Sequence, residues 1–492
     1  MASVAVAIVG SGVRRGVVIA VVGTLALAFG SSAYAGGPAM RVGVTTDLAK
    51  QADPALAQAE ILRAKAAGFD AIRMTLHWLP GQTEPPGGDL GVLKNAVFAA
   101  DANGLKVVIV VSNPGSRTTP LTEQQRSEFA QFCAALARAL PTVRFYTIGN
   151  EPNLNGFWLP QFGPNGEDVA APAYLQLLAE TYDALKAVAP RIVVIGGSLS
   201  PRGSDNPELS RHTHSPTQFI KDLGVAYRAS GRTKPVMDAL SINPFPDNSS
   251  VAPATPHPNS TSIGIADYEK LVKLLGEAFD GTAQTGSKLP IYYGEFGVES
   301  LPPAEKLSLY EGTEPTTTRP VDEKKQAEYY RQAIELSFCQ PNVGGIFLFL
   351  STDDARRTGW QSGLYYADQT AKTSLAAVKK AARQSRGGIV AKCAGLQLTP
   401  VVDRFGAFGS NGRYGVNFRC SIDCTAEVEL QRLSNRKVVG KLTGRGLGGV
   451  YSVIRLPKLK LTPGAYRFSV SFSAPVNRGA TVTRTTRPFG VR

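Results

Sequence analysis

Apolar positions along this chain fall into two textures. Up to about residue 385, short and nearly continuous apolar runs alternate with longer stretches whose apolar residues recur at helical spacing. Residues 106–111, Lys-Val-Val-Ile-Val-Val, are the clearest run. Comparable runs cover 40–45, 71–76, the stretch ending at Ile148, 191–196, 237–242, 291–294 and 345–350. Helical patterns follow them at 53–67, 90–103, 122–140, 172–188, 215–230, 266–279, 322–338 and 373–384. Strands apolar on both faces and separated by helices predict a parallel sheet covered on both sides. Eight β-then-α units in about 350 residues predict a closed (β/α)8 TIM barrel, an α/β fold. An open doubly wound sheet would use fewer units and would show a glycine-rich nucleotide loop, which is not found in the right place.

The second texture begins after Ser385-Arg386-Gly387-Gly388. Runs such as 424–430 and 466–472 alternate apolar and polar with period two, and Asn411-Gly412 and Pro463-Gly464 are turn signals. This predicts a small all-β sandwich. The expected organisation is a leader at 1–35, a barrel at 36–386, a linker at 387–394 and a sandwich at 395–492.

Charge sharpens this division. The whole chain carries a formal net charge of +14. Residues 395–492 hold 16 Lys+Arg against 4 Asp+Glu, a net of +12, whereas 36–394 hold 35 of each sign. The basic character therefore belongs to the tail module. Its field attracts polyanions such as anionic wall polymers or acidic polysaccharide, and it equally suits a merely solvated surface. No nucleic acid and no partner protein is inferred. At the N-terminus, Arg14-Arg15, an apolar run over 17–29 and Ala33-Tyr34-Ala35 read as a secretory signal cleaved after Ala35, so the protein is expected outside the cell. An uncleaved anchor is the alternative. Export permits disulfides. Of the five cysteines, Cys420 and Cys424 are the first choice for a bridge, while Cys133 and Cys339 sit in apolar helical patterns and read as buried thiols.

Candidate chemistry sits at two strand exits. The fourth strand ends in Gly149-Asn150-Glu151-Pro152 and the seventh in Gly294-Glu295-Phe296-Gly297. Barrel enzymes keep their chemistry at the C-terminal ends of strands. Two carboxyl groups facing each other across a narrow mouth suit acid/base chemistry on a glycosidic bond; at a separation of about 5–5.5 Å they would cleave it with retention. Trp78 and Trp158 follow the second and fourth strands, and Trp360 follows the eighth. Each is either packing or a platform for a sugar face. His212 and His214 have the spacing of a metal pair but no third ligand is evident, so no metal and no organic cofactor is expected. Glu299 reads as a loop charge.

On Asn150-Glu151-Pro152, Gly294-Glu295-Phe296-Gly297 and Arg73 at the end of the second strand, taken in that order, the chain resembles glycoside hydrolase clan A. Those barrels include the family 5 cellulases and family 39 xylosidases, and the likeness extends over about residues 40–385. The resemblance implies that Glu151 is the acid/base and Glu295 the nucleophile. It further implies that Asn150 bonds the sugar 2-hydroxyl and that Arg73 holds Glu295 charged. One departure stands out. The clan often places His-x-Tyr after strand six, its tyrosine bonding the nucleophile; here the stretch is Asn243-Pro244-Phe245-Pro246. Either Tyr292 or Tyr293 substitutes, or the nucleophile is tuned differently, or activity is lowered. The expected function is an exported retaining glycosidase acting on β-linked sugars. A non-catalytic carbohydrate- or wall-binding protein on a worn barrel, and a transglycosylase, are the alternatives.

Overall fold

The computed structural model describes residues 36–390 and 392–491; the expected leader at 1–35 lies outside the described residues. Eight parallel strands close in sequence order into a barrel: β1 (Arg41–Thr45), β2 (Ala71–His77), β3 (Lys106–Ser112), β4 (Phe145–Ile148), β5 (Val193–Leu199), β6 (Ala239–Ile242), β7 (Ile291–Phe296) and β8 (Val343–Phe349). The helices outside it are α1 (Pro54–Ala66), α2 (Gly87–Ala102), α3 (Glu123–Ala139), α4 (Ala170–Val188), α5 (Pro216–Ala229), α6 (Tyr268–Phe279), α7 (Glu323–Phe338) and α8 (Ser374–Gly387).

Local chemistry explains where the helices begin. The Asp53, Ser215 and Asp322 side chains accept backbone N–H groups of the first turns of α1, α5 and α7. Thr122 and Gln125 form a reciprocal capping box on α3. Strand parity explains the core. Ala71, Val108, Ile195, Ala239 and Phe347 fill the barrel interior. Ile72, Ile109, Val194, Leu240 and Ile346 face the other way and join the larger cluster beneath the helices. The same parity puts Arg73, two residues beyond Ala71, on the inward face near the mouth.

The C-terminal module packs two antiparallel sheets. One holds β9 (Val402–Ser410), β10 (Arg413–Cys420) and β13 (Ser452–Arg455). The other holds β11 (Cys424–Arg432), β12 (Val438–Gly446), β14 (Gly464–Ser473), β15 (Val482–Thr485) and β16 (Phe489–Val491). Val416, Phe418, Val428, Leu430, Phe468 and Val470, alternate residues of their strands, form its core. The module docks under the barrel, at the N-terminal ends of the strands. Asp423 N–H donates to the Gly387 carbonyl at 2.8 Å, its carboxylate meets Arg383 of α8 at 3.3 Å, and Leu398, Ile422 and Ala474 enter the barrel's apolar cluster.

A disulfide fastens this junction. Cys339, expected as a buried thiol, is bonded to Cys393 with Cα atoms 5.2 Å apart. The helical pattern that hid it ends one residue earlier: Cys339 is the C-cap of α7, and the chain leaving α8 returns beneath it. Cys420 and Cys424 are bonded as expected, and Cys133 is a buried free thiol. The Cys339–Cys393 bridge spans 54 residues, and a closed loop of that order stabilises a fold by about 2–4 kcal/mol. Cys339→Ser should therefore lower the thermal midpoint, and a reductant should do the same to the wild type. Equal melting with and without the bridge would contradict this.

Candidate active site

The polar residues at the mouth are placed by two distorted strand ends. β4 stops at Ile148, and Gly149 turns the chain with a φ of +79°. A Cβ there would lie 3.2 Å from the Tyr174 ring. The Tyr174 hydroxyl donates to the Ile148 carbonyl at 2.6 Å and accepts from Gly197 N–H at 2.7 Å, lashing β4 to β5. On β5 the pairing with β6 slips between Gly197 and Leu199, and the extra residue, Ser198, is turned into the barrel. Glu151 and Ser198 both occupy left-handed backbone conformations, at φ +42° and +53°. Neither is a glycine, so each costs about 1–2 kcal/mol. They brace one another, Glu151 N–H donating to the Ser198 carbonyl at 3.0 Å. The buried Asn153 steadies the following loop, its amide bonding Ser200 and the His214 carbonyl.

A continuous hydrogen-bonded relay joins the two glutamates. Arg73, only 2% exposed, donates to Glu295 Oε1 at 2.7 Å through one guanidinium nitrogen and to Ser198 Oγ at 2.8 Å through the other. Ser198 Oγ lies 3.2 Å from Asn243 Oδ1 and 3.4 Å from Asn150 Oδ1. The Asn243 amide donates to Glu151 Oε1 at 3.1 Å. Gly294 leaves room for this layer, because a Cβ there would fall 2.6 Å from Ser241 Oγ and 2.9 Å from Asn243 Oδ1. The sequence pointed to Arg73, Asn150 and the two glutamates. Ser198 was not visible, since only the bulge aims it inward, and Asn243 stood out only as the neighbour of the missing tyrosine.

The two carboxyls sit in different fields. Glu295 has a guanidinium in contact. Glu151 has only an amide in contact, and burial, followed by the charge of Glu295, pushes its pKa up to about 7. Such a split is how two glutamates take up acid and nucleophile roles.

The aromatic residues separate into packing and mouth. Trp78, a candidate sugar platform, is buried against Phe129 with its indole N–H donated to the Gln82 carbonyl. Trp158, another, is buried edge-on against Tyr174. Neither offers a free ring face. Tyr293 faces the helix layer and bonds Gln340, while Tyr292 lies inside the barrel beside Phe145, so neither stands in for the missing tyrosine at Glu295. Outward parity and the depth of the barrel explain both. His212 and His214 pack on Phe162.

Trp360 does return to the mouth. It is half-buried, its ring 4.9 Å from Phe245 and 5.3 Å from Phe349, at the edge of a cavity of about 310 Å³. This cavity opens two residues beyond Asn243 and two beyond Glu295, at Phe245 and Gly297. Arg202, on its wall, donates to the Phe245 carbonyl. Glu299 forms part of it and is buried, accepting from Gln361 N–H at 3.1 Å, not standing as a loop charge. Burial, then the nearby Glu314 and Asp353, push its pKa up to about 7.

The loop carrying Trp360 is pinned by Lys372 and Asp353, both fully buried and 2.7 Å apart. Burial alone pushes the Asp353 carboxyl up and the Lys372 amine down. Tyr310, Gly363 N–H, Ser300 and the Gln361 carbonyl offset that cost with hydrogen bonds.

A closed barrel with glutamates at the exits of its fourth and seventh strands, and an arginine from the second strand on the latter, defines a glycoside hydrolase of clan A. The chain belongs to the cellulase family, glycosyl hydrolase family 5, whose family model matches residues 39–302. No curated protein matches the chain. Among solved structures, a family 39 glycoside hydrolase from Bacteroides cellulosilyticus WH2 is similar at 20% identity, with 86% of this chain and 80% of that chain covered and a TM-score of 0.50. A GH5_18 enzyme from Streptomyces cattleya in complex with Manb1-4GlcNAc is similar at 18% identity, with 70% and 81% covered and a TM-score of 0.48.

Removing one partner of a buried ion pair leaves the other unpaired and costs about 3–5 kcal/mol. Lys372→Met should show a loss of that size in denaturant unfolding, and adding Asp353→Leu should recover part of it. A neutral single variant would refute the pinning role.

Proposed function

We propose that this protein is an exported, retaining β-glycosidase that works by double displacement. The observation that carries the reading is the asymmetry of the two glutamates: one rests on a buried guanidinium, the other is desolvated and holds its proton near neutrality. Glu151 protonates the glycosidic oxygen while the Glu295 carboxylate attacks the anomeric carbon; the C–O bond breaks and a glycosyl ester forms. Esterification removes the negative charge of Glu295, one of the two causes that raise Glu151. The pKa of Glu151 then falls, and as a carboxylate it takes a proton from water. That water attacks the anomeric carbon, Glu295 leaves as carboxylate, and both groups return to their starting states. Asn150 is assigned the sugar 2-hydroxyl, and Trp360 with Phe245 a wall of the substrate site. Export rests on the N-terminal pattern and is supported by two disulfides, which persist in oxidising surroundings. The basic sandwich is assigned the task of holding the enzyme on an anionic surface.

One observation favours a second reading, a carbohydrate-binding protein without turnover. No tyrosine among the described residues donates to Glu295, and its contact is Arg73. Aryl β-glycosides separate the two readings. Glu295→Gln should abolish turnover and Glu151→Gln should lower it by about 10²–10⁴. Wild type as inactive as both variants, with ligands still bound, would favour the second reading. Product anomers followed by NMR should show retention; inversion would remove the covalent step.

The acid must be protonated to act. Its pKa of about 7 in the free enzyme predicts kcat/KM that falls about tenfold per pH unit on the alkaline side of neutrality. A profile flat up to pH about 9 would remove Glu151 from the acid role.

A further inference from the structure

A second concavity lies away from the glutamates. It is a cleft of about 1080 Å³ in the sandwich, where β9 and its turn face the segment from the end of β15 to β16. β9 pairs only with β10, so one edge of it is free of strand partners among the described residues. Gly406 and Gly409 of β9 line the cleft, beside the edge of this strand that no other strand pairs among the described residues. Half-buried rings line it from both sheets, Phe405 and Phe408 from β9 and Phe489 from β16, the last stacked on the buried Tyr414 of β10 with centroids 5.3 Å apart.

The charges in this cleft are of one sign. Lys460 and Arg487 line it and are exposed, and no aspartate or glutamate does. Among the described residues neither forms an ion pair. Three of the module's four acids are paired elsewhere, Asp403 with Arg419, Asp423 with Arg383 and Glu429 with Lys441, and the fourth, Glu427, does not line the cleft. Arg455 does not line the cleft but lies 5.4 Å over the ring of Phe408, which does. Ring faces suit the apolar faces of sugars, strand-edge peptide groups suit hydroxyls, and unpaired cations suit carboxylates.

We propose that this cleft binds an acidic polysaccharide, a glycan chain carrying carboxylates. The inference rests on the reading of the sandwich as an anchor on anionic material and not on the chemistry of the glutamates. A strand from a second copy is the other natural occupant of a free sheet edge. Two such modules each carry a net charge of +12, which opposes their meeting edge to edge. A chain with a glycosidase barrel also meets glycan at high local concentration.

Affinity electrophoresis tests this, using the full chain with Glu295→Gln so that no polymer is digested. The probes are polygalacturonate, a neutral β-glucan and inorganic polyphosphate. Polygalacturonate should retard the protein, and Lys460→Glu with Arg487→Glu should weaken retardation by about tenfold or more. A charge-matched control, Arg436→Glu with Lys437→Glu in the β11–β12 turn, should change it by less than about twofold. Both pairs are exposed, and unchanged melting shows that the fold is intact. Equal losses in the two variants would reduce the effect to net charge and overturn the cleft. Retardation by the neutral glucan alone, or by polyphosphate but not polygalacturonate, would overturn the ligand class. A concentration-dependent dimer sensitive to the cleft variant would assign the edge to a second copy. Retention is read without turnover, so its failure is distinct from failure of the glycosidase reading.

Discussion

The contact between Arg73 and Glu295 sets the terms for the upper end of this barrel. A guanidinium that is 2% exposed must find acceptors among its neighbours, because little water reaches it. Two of its nitrogens do so, on Glu295 and Ser198. Ser198 then needs an acceptor and meets Asn243, and Asn243 completes its own amide on Glu151. The polar layer is thus one connected object, and its members are not independently replaceable. It stands above an apolar stack of Ala71, Val108, Ile195, Ala239 and Phe347, with Arg73 two residues beyond Ala71, Ser198 three beyond Ile195 and Asn243 four beyond Ala239.

Connection also explains why two residues are held in unfavourable backbone conformations. Glu151 and Ser198 lie on neighbouring strand ends, and each of their left-handed turns is stabilised by the other through a backbone hydrogen bond. Relaxing either would swing its side chain out of the relay. Strain here fixes the directions in which side chains point, something that regular strands with their strict alternation could not provide.

Most of the scaffold was legible in the residues. The eight apolar runs and the helical stretches between them appear as strands and helices with small shifts at their ends, since hydrophobic period is set by burial. Glu151 and Glu295 were legible as carboxylates at the exits of apolar runs, and Arg73 by its inward parity two residues beyond Ala71. Arg73 nonetheless lies early in β2, and a register shift after Tyr293 accompanies the turn of Glu295 toward it. What escaped depends on contacts between distant segments. Ser198 is aimed by a bulge that no local pattern signals. Trp78 and Trp158 follow strands on the side of the mouth, yet Phe129 of α3 and Tyr174 of α4 bury them. Cys339 finds Cys393 only because the sandwich folds back beneath the barrel, and Glu299 is buried by a loop more than fifty residues later.

That folding back has a geometric consequence. The sandwich is fixed to the floor of the barrel by a disulfide and a shared apolar cluster, while the glutamates open at the ceiling. A glycan gripped by the lower module and cut at the upper one has to climb the full height of the scaffold between the two. Short oligosaccharides are unable to bridge that distance, and they experience the two ends as separate proteins. Only a long polymer, or an insoluble surface against which the molecule lies on its side, engages both at once. On the proposed reading, the tethered module acts on the supply of polymer and leaves the treatment of small glycosides to the barrel.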